Sequence, residues 1–172
     1  MFSVRVAGES DAGLLSELGT RLFVQAFGSQ NTAEDMQLYL ADAFTVEQWR
    51  ADLTDRSQMV WVAIDEANVA LGYAVLRVAA APPSVAGAHP IEIARLYADE
   101  RWHGHGVGGA LMSACVTQAR DWSGDVAWLG VWDANARAIA FYQKHGFRIV
   151  GAQSFLLGTD VQSDHLMARP LD

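Results

Sequence analysis

The sequence is poor in cysteine, and this excludes chemistry that needs several thiols. Its 172 residues include one Cys, which rules out an internal disulfide and a zinc site built from several cysteines. Cys115 lies in the apolar run 110–116, so we interpret it as a small core residue, because free cysteine is usually buried. With 51% hydrophobic residues, a chain of this length can bury an adequate core without cross-links.

The chain also lacks an excess of positive charge and long apolar runs. It has 12 basic and 20 acidic residues, a net charge of −8, which disfavours nucleic acid as a partner because phosphates require a basic face. An acidic surface suits a cationic substrate such as an amine, although it also keeps any protein soluble. No apolar run approaches the roughly 18 residues of a membrane span, and the first residues lack the features of a signal peptide. We therefore expect a cytoplasmic protein with no membrane partner.

The pattern of the first half predicts a strand, three helical stretches and a hairpin. Apolar and polar residues alternate over 2–6, which is typical of a half-buried strand. Helical stretches follow the capping residues Ser10, Thr32 and Thr45. Residues 59–78 contain two strands around a short turn, which predicts an antiparallel hairpin.

The second half changes to alternating strands and helices. The pattern predicts, in order, a strand at 91–98, a helix at 106–122, a strand at 126–132, a helix at 134–145, and short strands at 147–151 and 163–168. Two strands joined by a crossover helix pair in parallel. Together with the hairpin, they predict one α/β domain over 1–172, in which helices cover both faces of a mixed sheet.

A glycine-rich loop joins the strand at 91–98 to the next helix. It reads His103-Gly104-His105-Gly106-Val107-Gly108-Gly109. The first N–H groups of a helix lack partners and lie at the positive end of its dipole, and glycine lets the main chain approach an anion closely. The loop therefore predicts a pyrophosphate site.

Three other interpretations of this loop have less support. The glycines also fit the dinucleotide pattern, and Asp133 follows the next strand, but too few strands come after the loop for a dinucleotide fold. A glycine turn that binds nothing would lose conformational entropy on folding without an evident benefit. His103 and His105 could bind a metal, yet no acidic or cysteine partner is adjacent, so we expect none.

Two motifs surround the loop in the order and separation of a known family. His103, Gly106 and Gly108 fit the pattern Q/R-x-x-G-x-G/A, with His in place of Gln or Arg. The run 129–147 fits the pattern L-x-V-x-x-x-N-x-x-A-x-x-F-Y-x-x-x-G-F, and its matching residues are Asn135, Ala138, Phe141, Tyr142, Gly146 and Phe147. These motifs resemble the two signatures of the GNAT superfamily of N-acetyltransferases. The resemblance implies the acyl-CoA N-acyltransferase fold, a mixed, mostly antiparallel sheet with one splayed parallel pair and helices on both faces.

The resemblance also implies acetyl-CoA as co-substrate and assigns residues to bind it. The backbone of Leu96, Tyr97 and Ala98 would contact the pantetheine arm. The loop from His103 to Gly109 would hold the pyrophosphate. Further cofactor contacts would come from Asn135, Ala138 and Phe141.

Two side chains are candidate catalytic groups. Tyr142 matches the position of the family's general acid, which protonates the departing thiolate; the alternative is a core tyrosine with a satisfied hydroxyl. Glu92 lies among apolar residues of a strand, where a carboxylate is unexpected. We predict that it acts as a base, directly or through water, and the alternative is an edge-facing or salt-bridged carboxylate.

A narrower resemblance concerns the acceptor. Segments 93–97, 129–133 and 154–167 are similar to PaiA-type polyamine acetyltransferases, which implies a spermidine- or spermine-like amine. A protein N-terminal acetyltransferase and a non-catalytic acyl-CoA-binding regulatory domain are the alternatives. The oligomeric state is open, with a homodimer among the options. Other candidate acceptor contacts, for which solvation or plain core packing is the alternative, are Glu34, Asp35, Asp160, Asp164, Phe23, Phe27, Tyr39 and Trp132.

Overall fold

The computed structural model describes residues 1–172 as one seven-stranded sheet with five α-helices. The elements are β1 (Phe2–Val6), α1 (Ala12–Phe27), α2 (Ala33–Ala43), α3 (Val46–Thr54), β2 (Gln58–Asp65), β3 (Ala70–Val78), β4 (Pro90–Ala98), α4 (Val107–Asp121), β5 (Val126–Trp132), α5 (Ala136–Lys144), β6 (Arg148–Leu157) and β7 (Asp160–Pro170). The helices and the first five strands lie close to their predicted bounds. None of the helices has the length and apolar character that crossing a membrane requires.

The sheet has the strand order β1-β2-β3-β4-β5-β7-β6, and all neighbours are antiparallel except β4 and β5. The parallel pair is short, because only Pro90–Glu92 pairs with Val126–Trp128. Beyond that point β4 continues beside β3 and β5 continues beside β7, but the two strands no longer pair with each other. The predicted mixed sheet with one splayed parallel pair is confirmed.

A bulge in β4 lies where this separation begins. Leu76 of β3 faces Ile93, and Val75 faces Arg95, so Ala94 is an extra residue. A bulge bends its strand and increases the local twist. It therefore helps to turn the carboxyl end of β4 away from β5.

The helices cover both faces of the sheet. On one face α4 and α5 pack against the parallel pair, in a core that includes Leu111 and Leu129. On the other face α1 to α3 pack over β2 and β3, in a core that includes Leu15 and Trp49. Cys115 is buried in the first core, where burial raises the pKa of its thiol to about 12. Its interpretation as a core residue is confirmed.

The last two strands differ from the sequence prediction. They form one long hairpin over 148–170 rather than two short strands. The prediction missed this length because Leu156 and Val161, although apolar, lie exposed near the turn. The turn is held by α2, since Asp35 accepts hydrogen bonds from the N–H and hydroxyl of Thr159 at 2.6 and 2.9 Å. Gly158 adopts a φ of +62°, and a Cβ there would lie 2.5 Å from Asp35 Cα.

Asp99 fixes the loop that leaves β4. Its side chain is fully buried, and its carboxylate accepts hydrogen bonds from Arg101 at 2.7 Å and from Arg21 of α1. These bonds hold the pKa of Asp99 well below its usual range despite burial, and the bond from Arg101 has the largest effect. The start of the glycine loop is thereby tied to α1.

We predict that Asp99→Asn lowers the free energy of unfolding by about 2 kcal/mol, less than the loss of a fully buried pair because Arg101 reaches solvent. Since the pKa of Asp99 is lower in the folded than in the unfolded protein, its contribution is complete above the ordinary aspartate pKa of about 4 and is lost as the pH falls below it. Denaturant unfolding at neutral and acidic pH measures the difference. Asp121→Asn, at an exposed position, is the control, and a difference that does not shrink at acidic pH would contradict the prediction.

Candidate active site

The gap between β4 and β5 opens into a cavity of about 810 Å³. Its size lies within the range of about 300–1,000 Å³ that small-molecule and cofactor sites occupy. It runs from the glycine loop, between the separated strands, to a chamber under α1 and α2. The two ends differ in chemistry, and the predicted site residues divide between them.

The glycine-loop end presents free backbone N–H groups. Gly106 is the N-cap of α4 with a φ of +90°, and Gly104 has a φ of +80°. A Cβ on either residue would meet nothing within 4 Å, so backbone conformation, not crowding, requires glycine here. The first intrahelical bond runs from Ala110 N–H to Gly106 O, which leaves the N–H groups of the preceding turn without helical partners. These features fit a bound diphosphate.

The predicted cofactor residues meet in the cavity wall, with one exception. The lining includes Leu96, Tyr97, Ala98, His103, Gly104, Gly106, Val107, Gly108, Gly109, Asn135, Ala138 and Phe141. His105 does not line it; its Nδ1 lies 3.0 Å from His103 O, and its ring packs near Trp102. This residue therefore belongs to the outer side of the loop.

His103 locks the loop through its side chain. Its Nδ1 lies 2.6 Å from an Arg137 nitrogen and its Nε2 lies 3.0 Å from Ala98 O. Because a guanidinium only donates, Nδ1 must accept, and Nε2 then carries the proton that is donated to the carbonyl. The neutral imidazole thus ties β4, the loop and α5 together, which is how this chain uses the position where the motif has Gln or Arg. No cluster of three His, Cys, Asp or Glu side chains is placed to hold a metal ion.

Two cations at this end were not identified from the sequence. Arg137 and Lys144 of α5 both line the cavity. They are seven residues apart and Phe141 lies between them, so all three share one face of the helix. That spacing is the signal that could have found them, and their charge suits an anionic ligand.

The helix α5 positions the candidate acid. The Asn135 side chain caps the start of α5 by accepting a hydrogen bond from Ala138 N–H at 3.2 Å. Phe141 packs against the loop, where a Cβ on Gly108 would lie 3.3 Å from its ring. Tyr142 is 8% exposed and lines the cavity. Burial raises the pKa of its hydroxyl above the ordinary value, so Tyr142 is protonated at neutral pH and able to donate.

The candidate base Glu92 lies in the cavity wall but is paired. Its two carboxylate oxygens accept hydrogen bonds from Arg77 Nε at 2.5 Å and from an Arg77 terminal nitrogen at 3.1 Å. The two residues face each other across β3 and β4. Glu92 is therefore in the cavity wall, where a base could act, but it is also a salt-bridged carboxylate, as the alternative interpretation proposed.

The far end of the cavity is lined with aromatic rings. The candidates Phe23 and Tyr39 stack at 4.6 Å between centroids, and Phe27 meets Trp132 at 6.0 Å. Phe155 of β6 adds a further ring, 5.6 Å from Tyr39. All five rings line the cavity, so helices α1 and α2 and the last hairpin form one aromatic chamber.

Only one of the four acidic acceptor candidates lies in this chamber. Asp35 binds the hairpin turn, Asp160 accepts a hydrogen bond from Gln162 at 3.0 Å, and Glu34 is exposed. Asp164 lines the cavity and is 8% exposed. Burial, opposed by a hydrogen bond from Gln153, raises the pKa of its carboxyl to about 6.

The same architecture occurs in solved acetyltransferases. The PaiA N-acetyltransferase from Thermoplasma acidophilum, in complex with coenzyme A, superposes with a TM-score of 0.79 at 15% identity over 99% of both chains. The yncA acetyltransferase from Salmonella typhimurium, with acetyl-CoA, gives 0.75 at 19% identity over 100% of this chain and 95% of that one. At such identities the likeness establishes the fold.

Sequence comparisons identify the family. An uncharacterised N-acetyltransferase of Mycobacterium tuberculosis (strain H37Rv) is 30% identical over 163 residues, which cover 94% of this chain and 99% of the relative. A second, from the pepI 3′ region of Lactobacillus delbrueckii subsp. lactis, is 28% identical over 95% of this chain and 94% of its own. Residues 21–147 match the acetyltransferase (GNAT) family. The chain therefore belongs to that family, which makes it an acetyl-CoA-dependent N-acetyltransferase.

Proposed function

We propose that the protein acetylates a small primary amine by direct attack in a ternary complex, and that a polyamine such as spermidine belongs to its acceptor class. One observation supports this most strongly. A single cavity joins a glycine-loop anion cradle to an acidic, aromatic chamber through the gap between β4 and β5. An anionic acetyl donor and a cationic acceptor can then meet in the gap from opposite ends.

The donor half of the site fits coenzyme A. Gly104 to Gly109 and the start of α4 would hold the pyrophosphate, and Arg137 and Lys144 add positive charge beside them. The edge of β4 that faces β5 has no strand partner over Leu96–Ala98. His103 already binds Ala98 O, so the other backbone groups of this edge would contact the pantetheine arm. Bound acetyl-CoA supplies the thioester, and this chain's residues orient it.

Tyr142 is proposed as the general acid. Departure of a thiolate is easier when a proton donor lies beside it, and the Tyr142 hydroxyl is both protonated and in the cavity wall. The role of Glu92 as the base is still a prediction. Because Arg77 occupies both of its oxygens, that role requires the pair to open or a bridging water to act for it.

The acceptor class is supported by the far end of the cavity. A buried carboxylate and several aromatic faces both attract a cationic nitrogen, and the fold neighbour from Thermoplasma acidophilum is a PaiA N-acetyltransferase. A cytoplasmic location and a homodimer stay predictions. A peptide N-terminus is also an amine, and the amine panel described next ranks it against polyamines.

We expect calorimetry to detect binding of CoA and acetyl-CoA, and a thiol-release assay to detect turnover with spermidine in preference to lysine peptides and arylalkylamines. Peptides as the best substrates would favour N-terminal acetylation. Binding of acetyl-CoA without turnover of any amine would favour a non-catalytic domain. The absence of any binding heat would overturn the proposed function.

We predict that Tyr142→Phe lowers kcat about 100-fold, the scale of losing one general acid or base, and leaves the Kd for acetyl-CoA unchanged. Tyr73→Phe is the matched control, because the Tyr73 hydroxyl is buried without a hydrogen-bond partner and lies outside the cavity. Steady-state kinetics and calorimetry provide the two measurements. Wild-type turnover in Tyr142→Phe would remove the assignment.

A further inference from the structure

Asp164 is the one buried carboxylate of the cavity wall that has no cationic partner; Glu100 also lines the wall unpaired, but it is exposed. Glu92 is paired with Arg77, and Asp52 with Arg95. Asp164 is buried, with 8% of its surface exposed, yet it takes part in no ion pair of the structure. An uncompensated buried carboxylate is costly, so a function for it is expected.

The sheet holds Asp164 at the open part of the gap. It lies on β7 opposite Trp132 of β5 and opposite Gln153 of β6. Both neighbours line the cavity, which places Asp164 at the end of β5 that has separated from β4. The carboxylate is thus on the acceptor side of the site.

A glycine keeps the space beside this carboxylate free. Gly130 of β5 lines the cavity. A Cβ built on it would lie 2.7 Å from Gln153 Nε2 and 3.2 Å from Asp164 Oδ2. Any side chain at residue 130 would therefore crowd the Asp164 carboxylate and the neighbouring Gln153 amide.

The groups around Asp164 leave it able to exchange a proton near neutrality. Burial is the main cause that raises its pKa to about 6, with Asp133 adding to the rise and Gln153 and His165 opposing it. On the side of α2, burial raises the pKa of Tyr39, a ring of the aromatic chamber; Arg95 opposes this rise and Asp164 adds to it. Arg95 also lines the cavity but is paired with Asp52, and no lysine or arginine shifts the pKa of Asp164.

We propose that Asp164 is the catalytic base, whose carboxylate binds the ammonium group of the acceptor and takes a proton from it. The inference rests on the proposed amine acetyltransferase function and names the group that recognises the amine. The aromatic faces of Tyr39, Trp132 and Phe155 complete a site for a cationic nitrogen.

The protons balance in this scheme. The ammonium gives one proton to Asp164, and the free amine forms a bond to the acetyl carbon as the carbon–sulfur bond breaks. Tyr142 protonates the thiolate and is restored by the second proton that leaves the nitrogen. Asp164 then releases its proton to water, so the products are the amide, CoA thiol and one proton.

Asp164 also fits the role better than Glu92 does. A base must have a lone pair free to accept a proton, and both Glu92 oxygens already accept hydrogen bonds from Arg77. Asp164 has only the neutral amide of Gln153 as a donor side chain.

The test compares kcat/KM against pH for Asp164→Asn and Glu92→Gln, using the best amine of the panel. In the wild type we expect activity to fall below a pH of about 6, as Asp164 becomes protonated. The kcat/KM of Asp164→Asn should be about 100-fold below that of the wild type at neutral pH. It should rise tenfold for each pH unit, because only the scarce free amine then reacts. Asp160→Asn, on the exposed part of the same hairpin, is the control.

The kcat/KM of Glu92→Gln should still fall below a pH of about 6, whatever its value at neutral pH. Loss of the break near pH 6 in Glu92→Gln, or a wild-type-like plateau above pH 6 in Asp164→Asn, would overturn the proposal. Turnover by the wild type tests the proposed function separately, so the two failures are distinguishable.

Two measurements keep the proposal testable apart from turnover. Carbon NMR of aspartate-labelled protein should show a carboxyl that titrates near the value of about 6, is missing in Asp164→Asn, and shifts when spermidine binds. Gly130→Ala should raise the KM for the amine at least fivefold but not that for acetyl-CoA, with Gly13→Ala, where a Cβ meets nothing within 4 Å, as the control. A carboxyl unaffected by the amine would contradict the proposal.

Discussion

The separation of β4 from β5 is the constraint on which the rest of the structure depends. The parallel pair ends after Glu92 and Trp128, and the Ala94 bulge bends β4 at that point. Backbone groups inside a protein need hydrogen-bond partners, and the free edge of β4 has none from a neighbouring strand. The fold therefore creates a slot that an extended chain with amide groups can fill, and it opens that slot to both faces of the sheet.

The two openings of the slot carry opposite charge. The loop end has the start of α4, with Arg137 and Lys144 in the cavity wall, and the far end has Asp164 among aromatic rings. In a chain of net charge −8, the cationic end is a local exception that suits an anionic donor. This distribution of charge supports the proposed approach of donor and acceptor from opposite ends of the cavity.

The positions of most site residues follow from local patterns. The glycine loop, the capping residue Asn135 and the face of α5 that includes Tyr142 all depend on neighbours within a few turns, and such patterns are legible in one sequence. The last hairpin was harder, because its exposed apolar residues break the alternation by which a strand is found. Its turn contacts α2, which is distant in sequence.

The sequence by itself determined the family and the order of strands and helices along the chain, because each depends on residue types at short, regular spacings. Only the tertiary structure decided among the carboxylates. Asp35, Asp160 and Asp164 are the same residue type, but Asp35 of α2 binds the hairpin turn and Asp160 binds Gln162. Strand register buries Asp164 beside the gap. Likewise Glu92 meets Arg77 only because β3 and β4 pair in that register. Burial and charge pairing depend on contacts between residues far apart in the chain, and they determine which buried carboxylate is left without a cationic partner.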